Sequence, residues 1–440
     1  MGKGILVIAI VCALVAVQAN VVYGGGYEVP MLGSRVLGMG GAFIGTADDW
    51  TAIYWNPAGL AKQENWELGA SLYNSHYTST DGNSISNHDA PQMSFYQRDV
   101  FMRVHPTLSG FGNEQTQFSE KTVDGDAYSP GVGGYWAVPD VGVLGVGFYT
   151  PVSSHIDWND TVKDLVTQAD VNASYSSKLT MSVVSLSFAR DIIPNLSAGI
   201  GSNLIYGNTE SGADKEYASA AVPPLNYTFD FDSEASGVGF EWMLGLHYKV
   251  VSQLSVGAVY RSGSKLGLNG TASASHTMSG IDEASDYEQR FYNPATYGIG
   301  LAYRPIPGLL LGADWAQTDW TTTRAKIDYE TEGAILKNID QNMDWERSDT
   351  YRLGAEYAIG NRITVQAGYR KDFLAVPDKG VGITSVNDVD KDIFSVGAGL
   401  KLKGSQINAA YLHVGGTRIA DDVEYEVEAN VFVLTCTYGI

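Results

Sequence analysis

Cysteine is almost absent from these 440 residues: Cys12 lies in an apolar leader and only Cys436 lies beyond it, so no disulfide is expected within the exported chain. Long apolar runs are missing too. Past the first twenty residues no stretch approaches the ~20 that a membrane-spanning helix needs, and the mean hydropathy is −0.08. Positive charge is scarce, 28 Lys and Arg against 49 Asp and Glu, and a net charge of −21 argues against nucleic acid as a partner. Metal and cofactor signatures are also wanting. The seven histidines show no ligand spacing, and no His-Glu-x-x-His occurs. Asn387-Asp388-Val389-Asp390-Lys391-Asp392 lacks the glycine and terminal glutamate of a calcium loop. Gly-x-Gly pairs such as Gly199 with Gly201 lack the third glycine and the following helix of a dinucleotide site. No metal, no cofactor and no catalytic residue is expected, and no Ser-His-acid constellation supports a hydrolase.

What the chain does have is 50 glycines, 26 tyrosines and a strict alternation. Residues 1–19 read as a signal peptide: Lys3, an apolar run from Ile5 to Val17, and Val17-Gln18-Ala19 as the cleavage box. From Trp66 onward, segments of period two recur. Leu196, Ala198, Ile200, Leu204 and Tyr206 share one face, opposite Ser197, Gly199, Gly201 and Asn203. The same rule sets Leu254, Val256, Ala258 and Tyr260 against Ser255, Gly257 and Arg261, and repeats at Ile363, Val365, Ala367 and Tyr369. One aliphatic face ending in tyrosine and one glycine-rich polar face predict an all-β transmembrane antiparallel barrel, residues 66–440, with an aromatic girdle.

Very short turns fall near Pro139-Asp140, Ile193-Pro194-Asn195, Val251-Ser252, Pro305-Ile306-Pro307, Gly360-Asn361 and Lys403-Gly404, with long polar loops between them. They imply about 14 strands, an even number as required when both termini lie on the periplasmic side. That count makes residues 78–128 an extended first outer loop and absorbs the strand-like stretch Met93 to Tyr96 into it. The third strand, Gly142 to Val152, carries Pro151 in its upper half, where proline cannot donate to a ladder. Beyond it Trp158, Val162, Leu165 and Val166 recur at helical spacing and predict a short amphipathic helix in the next outer loop. Together with the apolar Val222-Pro223-Pro224-Leu225 stretch, they suggest either two loops packed on each other or a groove for greasy molecules. The acidic run Glu424 to Glu428 reads as a solvated rim.

Residues 20–65 do not fit the barrel pattern. Gly38, Gly40 and Gly41 permit close backbone approaches, Asn56-Pro57 reads as a turn, and Met39, Phe43, Ile53, Trp55 and Leu60 need shelter. The stretch is expected to be a compact plug inside the barrel rather than a linker.

Four stretches resemble the long-chain fatty acid transporter (FadL/TodX) family: Gly33 to Leu60, Asp140 to Pro151, Ala258-Val259-Tyr260-Arg261-Ser262 and Thr318-Asp319-Trp320. The resemblance implies a bacterial outer-membrane barrel of 14 strands plugged by an N-terminal hatch, which passively takes up fatty acids or hydrophobic aromatic compounds. It matches Asn56, Pro57 and Ala58 to the hatch tripeptide linked to substrate passage. It makes the strand with Gly145, Gly147 and Pro151 the one kinked to open a lateral gap. Trp158, Val162, Leu165 and Val166 would then form the outer groove where substrate lands. A fatty-acid carboxylate needs a partner, and inward Arg261, Arg352 and Arg370 are candidates, unless Glu356, Asp372 or Asp314 already neutralise them. The expected partners are a hydrophobic small molecule, outer-membrane lipid and lipopolysaccharide, around a monomeric barrel. A scaffold for secreted proteins, or a carrier of aromatic hydrocarbons, is the alternative.

Overall fold

The computed structural model describes residues 32–81, 121–163, 170–217, 227–277, 279–380, 388–420 and 423–439. Six long strands come first: β1 (Trp66–Asp81), β2 (Lys121–Val138), β3 (Gly142–Lys163), β4 (Asp170–Ile193), β5 (Leu196–Tyr217) and β6 (Tyr227–Val251). Next come β7 (Leu254–Arg261), β8 (Ser264–His276), β9 (Ile281–Asn293), β10 (Thr296–Tyr303), β11 (Leu309–Asp319), β12 (Arg324–Tyr329) and β13 (Ile339–Asn342). The last five are β14 (Arg347–Ile359), β15 (Ile363–Asp372), β16 (Lys391–Leu402), β17 (Ser405–Ala420) and β18 (Val423–Gly439). Neighbours pair antiparallel around the sheet, and β1 pairs β18 from Glu67↔Gly439 to Asp81↔Tyr425, which closes it. β8 continues β7 along the wall, as β9 does β10, β12 does β11 and β13 does β14, so the closed barrel has 14 strands. Pairing of the first strand with the last removes the terminal edges of the sheet, as a sheet that crosses a bilayer requires.

All six short turns expected from the sequence join consecutive wall strands. Two of them bend through left-handed positions held by Asp140 (φ 62) and Asn195 (φ 75), residue types that tolerate that region. The predicted outward faces are outward: Ile200, Leu204 and Tyr206, or Ile363 and Val365, are exposed apolar residues in the lipid belt.

Along the longer strands, however, the two faces exchange character. On β6 the outward set changes from Phe240, Trp242, Leu244 and Leu246 to Asp230, Asp232 and Glu234, all exposed. The inward set changes from Gly245 and Glu241 to buried Ala235 and Phe231. β6 has 25 residues and β4 has 24, more than twice the ~9–11 that cross a bilayer, so their outer ends stand in water. There the strands behave as a soluble barrel, with an apolar interior and a polar surface.

Two expectations are corrected. The first outer loop is narrower than residues 78–128, because β1 runs on to Asp81 and β2 begins at Lys121; Met93 to Tyr96 lie outside the described residues. No helix follows Val152: β3 continues to Lys163, with Trp158 opposite Tyr175 and Val162 opposite Val171 on β4. Trp158 and Val162, four apart, satisfy period two as well as period three to four. A continuous ladder to β4 outweighs an isolated short helix, which is marginal in water. Leu165, Val166 and the Val222 to Leu225 stretch fall outside the described residues.

Candidate functional site

Residues 32–65 thread the lumen, and a collar of inward-facing wall glycines makes room for their backbone. A Cβ at Gly199 on β5 would come within 2.5 Å of Ala58 N. At Gly147 on β3 or Gly368 on β15 it would overlap Ile53 or the Gly40 backbone. Gly145 also faces Ile53, and Gly397 on β16 abuts Gly38. Gly40 and Gly41, with φ of 64° and 79°, turn the chain between these contacts. The abundance of wall glycine on alternate positions thus has a packing cause: backbone lies against backbone.

Asn56 is wholly buried and joins three parts of the molecule. Its Nδ2 donates to the carbonyls of Ile44 (2.9 Å) and Leu246 on β6 (3.1 Å), while its Oδ1 accepts from Ala58 N (3.1 Å). Pro57 begins a 3-10 turn, Pro57–Lys62, where a missing N–H costs nothing. The tripeptide is therefore a clamp between the segment's two limbs and the wall.

Beneath it, Arg35 gathers three carboxylates. It forms a two-pronged pair with Glu356 on β14 (Nε–Oε2 2.8 Å, Nη2–Oε1 2.9 Å) and reaches Asp48 Oδ1 at 2.6 Å and Asp49 Oδ2 at 3.3 Å. These groups line a cavity of about 330 Å³ beside the turn residues Gly360, Asn361 and Arg362, at the periplasmic end. The Arg35 node was not singled out from the sequence; its signal was one arginine and an Asp pair bracketing a run rich in glycine and apolar residues.

The outward-facing side of the segment is aromatic. Tyr54 and Trp55, from the turn Ala52–Trp55, stand edge to face at 5.0 Å, and Tyr149 of β3 meets Tyr54 at 5.4 Å. Arg261 lies 4.3 Å over the Tyr54 ring, donates to the Tyr54 carbonyl and pairs with Glu241 at 3.1 Å. Arg370 is held by Asp372 at 2.6 Å. Arg352 differs. It is directly opposite Asp314, yet Asp314 spends Oδ2 on the amides of Phe43 (2.6 Å) and Ile44 (2.8 Å). Arg352 stacks 5.6 Å from the Trp55 ring, is only 9% exposed, and among the described residues has no hydrogen bond or ion pair. Of the three arginines expected to meet a carboxylate, two are ion-paired within the protein, whereas Arg352 feels Asp314 and Asp372 only from beyond ion-pair distance. Above this level the lumen is lined by Tyr73, Tyr77, Met181, Val183, Leu266, Leu268, Val431 and Val433, all buried. That apolar lining was missed, since inward positions were expected to be glycine, small polar residues and a few charges.

In the wall beside this floor, β2 and β3 part company. Their ladder runs only from Val138↔Gly142 to Gly131↔Tyr149, whereas β1 and β2 pair up to Lys121 and β3 and β4 up to Lys163. Above Tyr149 neither strand is paired with the other, and β3 bulges on its β4 side between Tyr149 and Val152, at Thr150-Pro151. Seven residues at ~3.3 Å each, tilted ~40°, put the parting roughly 18 Å above the periplasmic turn, within the outer part of a ~25 Å apolar belt. Gly145 and Gly147 lie below it, in the collar; Trp158 and Val162 lie above it on β3.

A barrel of this strand number, filled by its own N-terminal segment and parted at one seam, agrees with the family comparison: the description "Outer membrane protein transport protein (OMPP1/FadL/TodX)" matches residues 15–437. The chain belongs to the OMPP1/FadL/TodX family. This OMPP1/FadL/TodX barrel accordingly sits in the bacterial outer membrane, and its family is one of transport proteins. It is similar in fold to a Pseudomonas aeruginosa FadL homologue, at 16% identity and a TM-score of 0.72 over 94% of this chain and 99% of the other. The Pseudomonas putida toluene transporter TodX is similar at 16% identity and a TM-score of 0.67, covering 93% and 99%. For the Ralstonia pickettii toluene transporter TbuX the identity is 16% and the TM-score 0.61, covering 93% and 98%. No curated protein matches the chain.

Proposed function

We propose that this OMPP1/FadL/TodX protein carries long-chain fatty acids passively across the outer leaflet. The acyl chain occupies the apolar chamber, its carboxylate meets Arg352, and it leaves sideways through the β2–β3 seam while the luminal segment acts as a seated hatch. A water-filled pore offers an acyl chain no favourable site, so an apolar chamber with lateral release keeps it out of water. The observation that carries the reading is Arg352, a buried guanidinium facing the lumen with no carboxylate in direct contact, Asp314 and Asp372 acting on it only from farther off. A buried charge lacking a partner is costly, and a carboxylate supplied by cargo relieves that cost with a charge-assisted bond.

The test is oleate binding to the purified barrel and uptake of radiolabelled oleate by cells, with toluene as the neutral comparison. Arg352→Gln is expected to weaken oleate binding by about tenfold or more, the range of a charged hydrogen bond, and to leave toluene unaffected. An oleate affinity unchanged in Arg352→Gln would remove the carboxylate contact and favour neutral aromatic cargo.

A further inference from the structure

At the foot of the β2–β3 seam the ladder stops because of residues on both strands. Continuing the register past Gly131↔Tyr149 would bring Pro130 opposite Thr150 and Ser129 opposite Pro151. Proline has no N–H, so whichever of those two rungs came next, one donor would be missing. Pro151 stood out in the sequence; Pro130 did not, because β2 alone gives no sign of which partner residue its proline will face. The Thr150 carbonyl is nevertheless not left bare. Ser129 Oγ donates to it at 2.7 Å, across the seam, from a side chain only 4% exposed, and Thr150 is 8% exposed. Among the described residues this is the outermost hydrogen bond joining β2 to β3. Directly inside it stand Leu32, against Gly131, and Tyr149, which meets Tyr54 edge to face. The seam's lower corner is therefore framed by the chamber floor within and one serine hydroxyl in the wall.

We propose that Ser129 is a positioning residue that sets the lower limit of the lateral opening, and hence how wide a cargo can leave. Its hydroxyl holds Thr150-Pro151 against the β2 edge; without it the Thr150 carbonyl has no donor in that wall, and the opening extends down to the Gly131↔Tyr149 rung. Narrow linear chains pass at either width, whereas bulky chains pass only at the greater. The proposal rests on lateral exit.

The experiment compares uptake of a slim cargo, oleate, with a bulky one, pyrene-dodecanoic acid, in cells making equal amounts of heat-stable barrel. Ser129→Ala is expected to raise the bulky-to-slim uptake ratio at least about threefold, and Ser129→Thr, which keeps the hydroxyl, to restore it. If Ser129→Ala does not assemble, Ser129→Gly serves the same comparison. A ratio unchanged in Ser129→Ala, while Pro151→Val lowers uptake of both acids, overturns the role of Ser129 and leaves lateral exit standing. Uptake of both acids unchanged in Ser129→Ala and in Pro151→Val alike overturns lateral exit itself, and the role of Ser129 with it.

Discussion

The side-chain amide of Asn56 donates 3.1 Å to the main-chain carbonyl of Leu246, tying the luminal segment to β6 by a residue that is itself fully buried. The same amide holds Ile44, so one side chain fixes the segment's two limbs to each other and to the wall. Asn56→Ala removes three hydrogen bonds and leaves Ala58 N–H without its acceptor. At ~1–3 kcal/mol for each of the three groups left unpaired, the segment should loosen by at least about 3 kcal/mol. The barrel ladders are untouched, so heat-dependent gel mobility should stay normal while amide exchange in residues 32–65 accelerates. Exchange as slow as in the wild type would show that the clamp is dispensable.

The glycine collar makes a sharper demand. Gly368→Val places a branched side chain where the Gly40 backbone lies, and the nearest atoms are main chain that cannot swing aside. Gly415→Ala on β17 is the control, because its new Cβ meets nothing nearer than 3.9 Å. The first substitution should unseat the segment and change the fluorescence of Trp50 and Trp55; the second should do neither. Equal spectra for both would mean that the collar is not tight.

Pro130 and Pro151 together predict a gain of stability with a loss of transport. The double replacement by valine restores both missing N–H donors and favours strand, so the β2–β3 ladder should extend by at least one or two rungs, each hydrogen bond contributing ~1 kcal/mol. Thermal unfolding should shift upward while oleate uptake falls. A double variant as active as the wild type argues against exit at this seam.

Acid should release the Arg35 node. Burial pushes the Asp48 carboxyl up, but the charge and hydrogen bond of Arg35 outweigh it and hold the group below its ordinary 3.8. A carboxylate depressed in the folded state stabilises it above the unfolded pKa, and that contribution is lost as pH falls through the folded one. The Asp48 contribution should therefore be constant from neutral pH to about 5 and weaken below about 4. Asp48 keeps about a third of its side chain in water, so the effect is modest. Proteolysis of residues 32–65 against pH measures it, and Asp48→Asn should abolish the acid-dependent part.

Composition, alternation and turn spacing by themselves determined a closed antiparallel barrel of even strand number, its lipid-facing residues and its short periplasmic turns. These are local properties: an outward Leu204 and an inward Asn203 differ in what surrounds them before any partner is known. The glycine-rich run from Gly38 to Gly41 likewise announced a close approach, and Pro151 a ladder that must break. What the run approaches, the glycines on β14, β15 and β16, depended on strands more than 300 residues away. The helix expected at Trp158 gave way to β4 for the same reason, since a spacing that suits two periods is settled by the available partner. Tertiary structure alone decided that Arg261 and Arg370 touch a carboxylate and Arg352 does not. It likewise set Pro130 beside Pro151 across a seam closed below by Ser129. In each case the chemistry resides in a pair, and the chain order of two residues does not say whether folding will bring them face to face.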